Sequence, residues 1–452
     1  MSRNRIRFGA PSKRQSRQSI PDDFEAEIES LSLEGRGIAR ISGKTCFVAG
    51  ALPGERVKAS ITARHKRYDE ALVEQVLVAS DERRTPPCQY YDRCGGCQLQ
   101  HLDPERQLAY KQSQLLDQLK RFAGIEPLAV ETALTSAELG YRRTARIGIN
   151  QRADGEVLIG FRRQASNKLL DIEQCPVLDA RINALLVTLR DALSGLGDIK
   201  HLTHLDIACG ETSSALTVRV TRKLSQPQSD AIARACEAHE FQFYVEANNG
   251  QISAAGDTAA ALSYRLPEQN LDLGFAPGDF LQVNAEINRQ MVERALDWLS
   301  PKQDDRVLDL FCGLGNFTLP LARHAGRVVG VEGSAAMVER ARENAQRNEL
   351  ENAEFYKGDL SSDIRESYWY RESRQNGFDV VLLDPPRAGA EACVRELADY
   401  GARAVLYISC NPAALVRDAE LLKDAGYRMT RFSVMDMFPN TAHVESMALF
   451  EC

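Results

Sequence analysis

Eleven cysteines are scattered over 452 residues, and their spacing separates them by use. Cys88, Cys94 and Cys97 stand as C-x5-C-G-G-C, and Cys175-Pro176 follows far along the chain. Four thiolates with no obligatory histidine suit zinc or an iron-sulfur cluster. Zinc ribbons usually pair two CxxC knuckles, whereas here one CxxC is joined by two isolated cysteines, and the CxxxCxxC of radical enzymes is not the pattern either. The odd count argues against a disulfide framework. Cys410 is of another kind: the run AVLYIS delivers Ser409-Cys410-Asn411-Pro412 to a strand end, and His443-Val444-Glu445 precedes the last strand. A thiolate is a nucleophile, and a partly desolvated carboxylate, its pKa raised toward neutrality, is a base. Cys46, Cys209, Cys236, Cys312, Cys393 and Cys452 read as packing residues.

From about residue 300 short apolar runs alternate with helical ones: RVLDLF, RVVGVE, AEFYKGD, DVVLLDPP and AVLYIS, then MTRFSVMDMF and VESMALFE. Such interleaving predicts a parallel sheet covered on both faces, with an antiparallel pair closing one end. Ligands of these sheets sit at the carboxyl ends of the strands. There VLDLFCGLGNFT runs into Gly313-Leu-Gly315, where missing side chains let a ligand approach the backbone. Position 318 is Thr, so the G-x-G-x-x-G of nicotinamide folds is incomplete. Glu332 ends the next strand, where a carboxylate can accept both hydroxyls of a ribose. Asp359 ends the third, suited to an adenine amine, and Asp384-Pro385-Pro386-Arg387 ends the fourth. Together these strand ends resemble the S-adenosylmethionine-dependent methyltransferases. A thiol beside a bound sulfonium then has a definite use. Carbon 5 of uracil is a poor nucleophile until a thiolate adds to carbon 6, and after methylation the carbon 5 proton must leave to a base. Cys410 is the candidate nucleophile and Glu445 the candidate base.

The remaining elements must bring a substrate to this edge. The length predicts two or three domains. A hydrophobic content of 44% with 26% charged residues is ordinary for a soluble chain. No stretch approaches the roughly 20 apolar residues of a membrane helix. The start, MSRNRIRFGAPSKRQSRQSI, has no apolar run behind its basic residues, so no secretory signal is expected and the cytoplasm is the expected location. The net charge of −7 is uneven: from Glu286 onward 20 Lys and Arg face 27 Asp and Glu, whereas residues 1–285 hold 36 of each. Residues 1–20 carry six basic side chains and no acid, suiting either phosphate contacts or a solvated tail. Residues 22–80 alternate apolar and polar in short Gly-broken runs, predicting a closed β-barrel of about five strands. Through Leu33-Glu-Gly-Arg-Gly37-Ile-Ala and Ala51-Leu-Pro-Gly54-Glu this segment resembles a TRAM domain, an OB-like RNA-binding module. Asp103 caps an expected helix, with Pro104 at its first position and Leu108, Leu115, Leu116, Leu119 and Phe122 on one face. Residues 136–275 are strand-rich, and Arg142, Arg143, Arg146, Arg152, Arg162, Arg163 and Lys168 form either a basic β surface for an RNA backbone or a solvated face.

Phe280-Leu-Gln282-Val-Asn284, Asp309 to Gly315, Asp384-Pro-Pro-Arg387, Ser409-Cys410-Asn411-Pro412 and His443-Val-Glu445 in combination resemble the RNA uracil-C5 methyltransferases over nearly the whole chain. The resemblance implies Cys410 as nucleophile, Glu445 as base, and Gln282, Phe311, Asn316, Glu332, Asp359 and Asp384 around S-adenosyl-L-methionine. Asp384 also has a place facing the uracil. Phe280 reads equally as a residue that stacks on a base or as core. The same resemblance implies a structural [4Fe-4S] cluster on Cys88, Cys94, Cys97 and Cys175. Barrel and cluster together resemble the branch acting on 23S ribosomal RNA, with a flipped-out uracil in a loop as target.

The expected fold is multidomain α/β, and it divides into four parts. A basic flexible tail (1–20) precedes a TRAM OB-like RNA-binding barrel (21–80). A strand-rich, RNA-binding middle domain with the four-cysteine cluster (81–275) and a C-terminal Rossmann-like methyltransferase domain (276–452) follow, the latter open to packing by the helix at 103–123. A monomer with no membrane contact is expected. Two other readings stand beside this one: methylation of a different or second 23S uracil, or of transfer RNA, and an RNA-binding or RNA-folding protein whose methyltransferase domain is secondary.

Overall fold

The computed structural model describes residues 21–256, 261–361, 364–365, 367–371 and 377–452, with 398 and 399 described in backbone alone; the expected basic tail, 1–20, lies outside them. The chain divides into two compact units, Met1–Arg84 and Thr85–Cys452. Among the described residues no helix is long and apolar enough to cross a membrane.

The first unit contains β1 (Asp23–Glu27), β2 (Ser30–Leu31), β3 (Gly37–Ile41), β4 (Lys44–Ala49), β5 (Arg56–Arg64) and β6 (Tyr68–Val78), in the order β1-β5-β6-β4-β3-β2. β1 and β2 are halves of one bent strand. The first half pairs with β5 and the second with β3, and the Ile28 and Glu29 N–H groups between them bond to Glu55 and Ile38. The sheet therefore closes on itself as the five-stranded barrel that the alternation predicts. Cys46, Val48, Val57, Ala59 and Ala71 fill its interior. Gly37 is required by close approach, because a Cβ there would meet Ile28 Cγ2 at 2.8 Å and Ala51 Cβ at 2.9 Å. The fully buried Glu55 accepts from Leu52 N at 2.8 Å and from both Nε and a terminal nitrogen of Arg83. Burial alone would raise this carboxyl, but these donors hold it below its ordinary value.

The second unit begins its regular structure with α1 (Pro104–Gln118). Asp103 caps it by accepting from Glu105 and Arg106 N–H, and Pro104 opens it as expected. Leu115 and Leu119 are buried, with Leu108 and Leu116 packed beside them. Phe122, expected on the same face, is 70% exposed. The reason is local: Leu119–Ala123 forms a wider i→i+5 turn ending on left-handed Gly124, which rotates Phe122 out of phase. The short strand β7 (Ala129–Val130) follows.

The next sheet has the order β10-β9-β8-β11-β12-β13-β14. Its strands are β8 (Thr144–Gln151), β9 (Val157–Arg162), β10 (Leu169–Asp171), β11 (Leu202–Cys209), β12 (Ser214–Val220), β13 (Phe241–Glu246) and β14 (Ile252–Ala254). Helices α2 (Ala180–Leu193) and α3 (Gln226–Glu237) bury Leu185, Leu189 and Ile232 in a core shared with Ile147, Ile159 and Leu216. The expected basic face is a surface only in part. Arg143 turns inward, 6% exposed: its Nε donates to the Gln282 carbonyl at 2.8 Å and its guanidinium lies 4.7 Å from the Tyr264 ring centre. Arg146 and Arg152 are paired with Asp206 and Glu156.

A hairpin, β15 (Ser263–Leu266) and β16 (Leu271–Gly274), leads into α4 (Ala285–Leu299) and the last sheet. The strands of that sheet are β17 (Arg306–Leu310), β18 (Arg327–Glu332), β19 (Ala353–Lys357), β20 (Val380–Leu383), β21 (Ala404–Ser409), β22 (Arg428–Met435) and β23 (Glu445–Glu451). Helices α5 (Thr318–Ala322), α6 (Ala335–Arg347), α7 (Glu391–Glu396) and α8 (Pro412–Asp424) connect them. The order is β19-β18-β17-β20-β21-β23-β22-β7. Pairings among β17 to β21 are parallel, and β23 is antiparallel to both β21 and β22, as the apolar runs predict. Val380–Leu383 is buried throughout, which is why these strands read as unbroken apolar runs. Two upstream pieces join this sheet: β7 pairs with β22, and α1 with the turn that follows it buries Leu115 and Leu119 in its hydrophobic cluster. Between β17 and β20 the order reverses, and that switch point is where such a sheet opens a crevice.

Candidate active site

The carboxyl ends of these strands open on a cavity of about 1010 Å3. Gln282, Phe311, Asn316, Glu332, Asp359, Asp384, Cys410 and Glu445 all line it, and so does Phe280, 69% exposed and therefore not core. After β17 the chain turns through left-handed Phe311 (φ 66°), Gly313 (φ 57°) and Gly315 (φ 97°). A non-glycine residue in that region is strained, and Phe311 is held there by its N–H bond to Val331 O at 2.9 Å. Glu332 spans this turn and its own: it accepts from Gly313 N at 3.3 Å and Ser334 N at 2.8 Å. Asp359 accepts from Ser361 N at 3.0 Å and Ser361 Oγ at 2.6 Å. Asn316 faces a network absent from the sequence reading. Its Oδ1 accepts from Tyr264 OH at 2.8 Å and Asn288 Nδ2 at 3.0 Å, and its Nδ2 donates to Asn288 Oδ1 at 2.9 Å. A signal existed: Asn288 falls one turn after the cap Asn284, on the apolar stripe of Ile287, Met291, Val292 and Ala295.

Sheet register brings Cys410 and Glu445 together. Ser409 of β21 is opposite Ser446 of β23, so one step beyond the ladder Cys410 comes opposite Glu445. Opposed residues in such ladders stand roughly 4.5–5.5 Å apart at Cα. Glu445 is 7% exposed, and burial, with Asp384 adding to it and Arg387 opposing, pushes its carboxyl up to about 8. Burial takes Asp384 up to about 7. Asp309, fully buried beneath them, accepts from the Thr318 hydroxyl at 2.5 Å, and burial followed by the charge of Asp384 raises it to about 8. The Cys410 thiol is pushed up to about 11 by burial, then by Glu445 and Asp384, against the pull of Arg387. Three carboxyls with raised affinity for protons and a reluctant thiol describe a site that waits for positive charge.

The cysteines expected to bind a metal come from two loops. Cys175 N donates to Asn183 Oδ1 at 2.8 Å, Cys88 N to Gln100 Oε1 at 3.2 Å, and Gly95 N to Arg162 O at 3.0 Å. Burial raises Cys97 to about 12 and Cys175 to about 11, and in both cases Cys88 and Cys94 add to the shift, so the four thiols lie within electrostatic reach. None of them forms a disulfide. Among the described residues, however, no group of three or more His, Cys, Asp or Glu side chains has the arrangement that holds a metal ion.

A family model described as tRNA (Uracil-5-)-methyltransferase matches residues 103–452, and a TRAM domain model matches residues 22–72. The chain is 47% identical over 94% of its length to "23S rRNA (uracil(1939)-C(5))-methyltransferase RlmD" of Pseudomonas aeruginosa, covering 93% of that protein. It is 46% identical over 96% of its length to the protein of that name in Alkalilimnicola ehrlichii, covering 98% of it. Its structure is similar to that of the Pyrococcus abyssi tRNA (uracil-54, C5)-methyltransferase in complex with S-adenosyl-L-homocysteine. That match has a TM-score of 0.71 and 25% identity, over 94% of this chain and 100% of the other.

The charges around Cys410 make its reactivity testable. Above about pH 8.5 Glu445→Gln removes a carboxylate that opposes the thiolate, so iodoacetamide should label Cys410 about 3- to 10-fold faster than in the unaltered chain, read by mass spectrometry. Equal or slower labelling contradicts the electrostatic coupling of the two groups.

Proposed function

The chain belongs to the tRNA (Uracil-5-)-methyltransferase family, and from that premise we propose that it transfers a methyl group from S-adenosylmethionine to carbon 5 of a uracil in 23S ribosomal RNA. The observation that carries this reading is the register that sets Cys410 opposite Glu445 at the mouth of an acid-lined cavity. That cavity fits the methyl donor on physical grounds, because its buried carboxyls favour a cation. When bound, S-adenosylmethionine supplies an electrophilic methyl group on a positively charged sulfur. Glu332, its carboxylate fixed by two backbone N–H groups, is suited to the ribose hydroxyls; Asp359 is suited to the adenine. Gln282, Phe311, Asn316 and Asp384 complete the walls.

The chain's own residues then divide the chemistry. Cys410 Sγ adds as thiolate to carbon 6 of the uracil, which makes carbon 5 nucleophilic. Neighbouring positive charge, from Arg387 and the donor, counters the burial that holds the thiol neutral. After methylation Glu445 takes the carbon 5 proton. The electrons of that C–H bond re-form the C5–C6 double bond, and the C6–S bond breaks to return the thiolate. A carboxyl near 8 is a stronger base than one in water, which suits this step. Carbon 6 is shielded in a stacked helix, so the target is a flipped uracil in a loop, with Phe280 exposed at the rim to stack on a base. The TRAM barrel supports an RNA substrate. Transfer RNA stands as the second reading through the likeness to the Pyrococcus abyssi enzyme, but relatives at 47% identity favour ribosomal RNA over one at 25%.

Cys88, Cys94, Cys97 and Cys175 are read as ligands of a [4Fe-4S] cluster that joins two distant loops. What supports this reading is that all four are free thiols and that Cys94, Cys97 and Cys175 are each raised by burial and in part by neighbouring thiols, a proximity that suits a shared cationic centre. No step above requires electron transfer, so its role is structural.

Cys410→Ala should abolish 5-methyluridine formation on unmodified 23S ribosomal RNA while RNA binding persists; methylation that survives this change contradicts the thiolate mechanism. Anaerobically purified protein should absorb visible light and carry iron and sulfide in near-equal amounts, whereas colourless protein retaining zinc contradicts the cluster.

A further inference from the structure

Glu445 stands where a loop enters the sheet, and that loop is held by contacts from outside the sheet. β22 ends at Met435, β23 begins at its cross-strand partner Glu445, and residues 436–444 between them line the cavity with Phe438 and His443. Asn440 lies at the centre of this loop, fully buried and left-handed (φ 67°). Its carbonyl accepts from Gln98 N at 3.1 Å and Leu99 N at 3.0 Å, and its N–H donates to Gln107 Oε1 at 2.9 Å. Gln107, buried on α1, donates from Nε2 to the Leu99 and Leu102 carbonyls at 3.0 and 2.9 Å. Ala442 N donates to Gln98 Oε1 at 3.2 Å, Tyr141 OH to the Pro439 carbonyl at 3.1 Å, and Lys111 Nζ to Asp436 at 2.7 Å.

Every one of these anchors lies between residues 98 and 141, more than 290 residues upstream of the loop, and two of them immediately follow Cys97. A buried glutamine using both ends of its amide on backbone groups, against a buried backbone turn that only a left-handed residue can make, is a fixed joint rather than surface decoration. We infer that Gln107 and Asn440 are positioning residues for the base, holding the 436–444 loop so that the Glu445 carboxylate meets the carbon 5 proton. The inference rests on the reading of Glu445 as base. It adds that the loop leading into that base is held by the segment after Cys97 and by α1, so that register alone does not fix the carboxylate. Displacement of a reacting group by about 1 Å costs on the order of 100-fold in rate. A displaced base, unlike a lost fold, stalls the reaction at one point: the thiolate adduct forms and is methylated, but proton removal and release of Cys410 lag.

The test uses the full chain with S-adenosylmethionine and unmodified 23S ribosomal RNA, comparing Glu445→Gln, Gln107→Ala, Asn440→Val and Asn440→Gly. Glycine keeps the left-handed turn and the accepting carbonyl, whereas valine opposes that conformation. We expect Gln107→Ala and Asn440→Val to lower kcat about 10- to 100-fold with KM for RNA within about threefold. Both should accumulate a protein–RNA adduct that survives denaturing gels, as Glu445→Gln is expected to, while Asn440→Gly stays within about threefold of the unaltered kcat. Activity falling only in step with the folded fraction, with no adduct, overturns the inference, and so does equal loss in Asn440→Gly and Asn440→Val. If Glu445→Gln itself turns over without trapping adduct, the reading of the base fails instead, and the two failures are distinguishable.

Discussion

Burial of carboxyls at one edge of the sheet is the constraint on which the site depends. Asp309, Asp384 and Glu445 are all driven toward neutral pH by burial, and Glu332 shares the cavity wall. A carboxyl in an apolar cleft loses hydration when it ionises, and the charge of Asp384 adds to that cost at Asp309 and Glu445. Protons relieve it, and in the proposed reaction the positive charge of a sulfonium does so too. Burial, then the charges of Glu445 and Asp384, raises the Cys410 thiol as well. In the proposed reaction one electrostatic arrangement thus favours a cationic donor, restrains Cys410 and makes Glu445 the more basic.

That arrangement needs a scaffold able to bear it. Parallel strands covered on both faces bring their acidic ends to one edge, and the antiparallel β21–β23 pairing turns a sheet register into a reactive pair. The upstream chain then reaches into this domain rather than merely preceding it. α1 packs on the sheet, β7 extends its edge, and Arg143 directs its charge to the Gln282 carbonyl and the Tyr264 face instead of to solvent. The segment after the clustered cysteines completes the loop before Glu445. The second unit therefore contains both the cavity and the segments that hold the loop leading to Glu445.

Much of this was legible in the sequence because periodicity reports burial. Runs such as RVLDLF and AVLYIS became the parallel strands, and the acids at their ends line the cavity with Cys410 and Glu445. Local chemistry was legible too: Asp103 and Pro104 open α1 as their types predict. What escaped depends on a local shift of helix phase or on distant partners. Phe122 left its helix face because a wide turn shifted the phase, and Arg143 left the basic surface because its partners lie more than 120 residues away. The Asn316–Asn288–Tyr264 network and the Gln107–Asn440 joint are ordinary polar residues in sequence, distinguished only by being buried together. The four thiols come within electrostatic reach of one another, but they fall short of a metal-holding arrangement among the described residues.

The central claim is that this chain methylates carbon 5 of a uracil in 23S ribosomal RNA. Mapping 5-methyluridine across ribosomal and transfer RNA from a strain lacking the protein tests it most directly. The account predicts loss of 5-methyluridine from 23S ribosomal RNA, restored by the unaltered chain and not by Cys410→Ala. An unchanged 23S pattern, or a loss confined to transfer RNA, would contradict it.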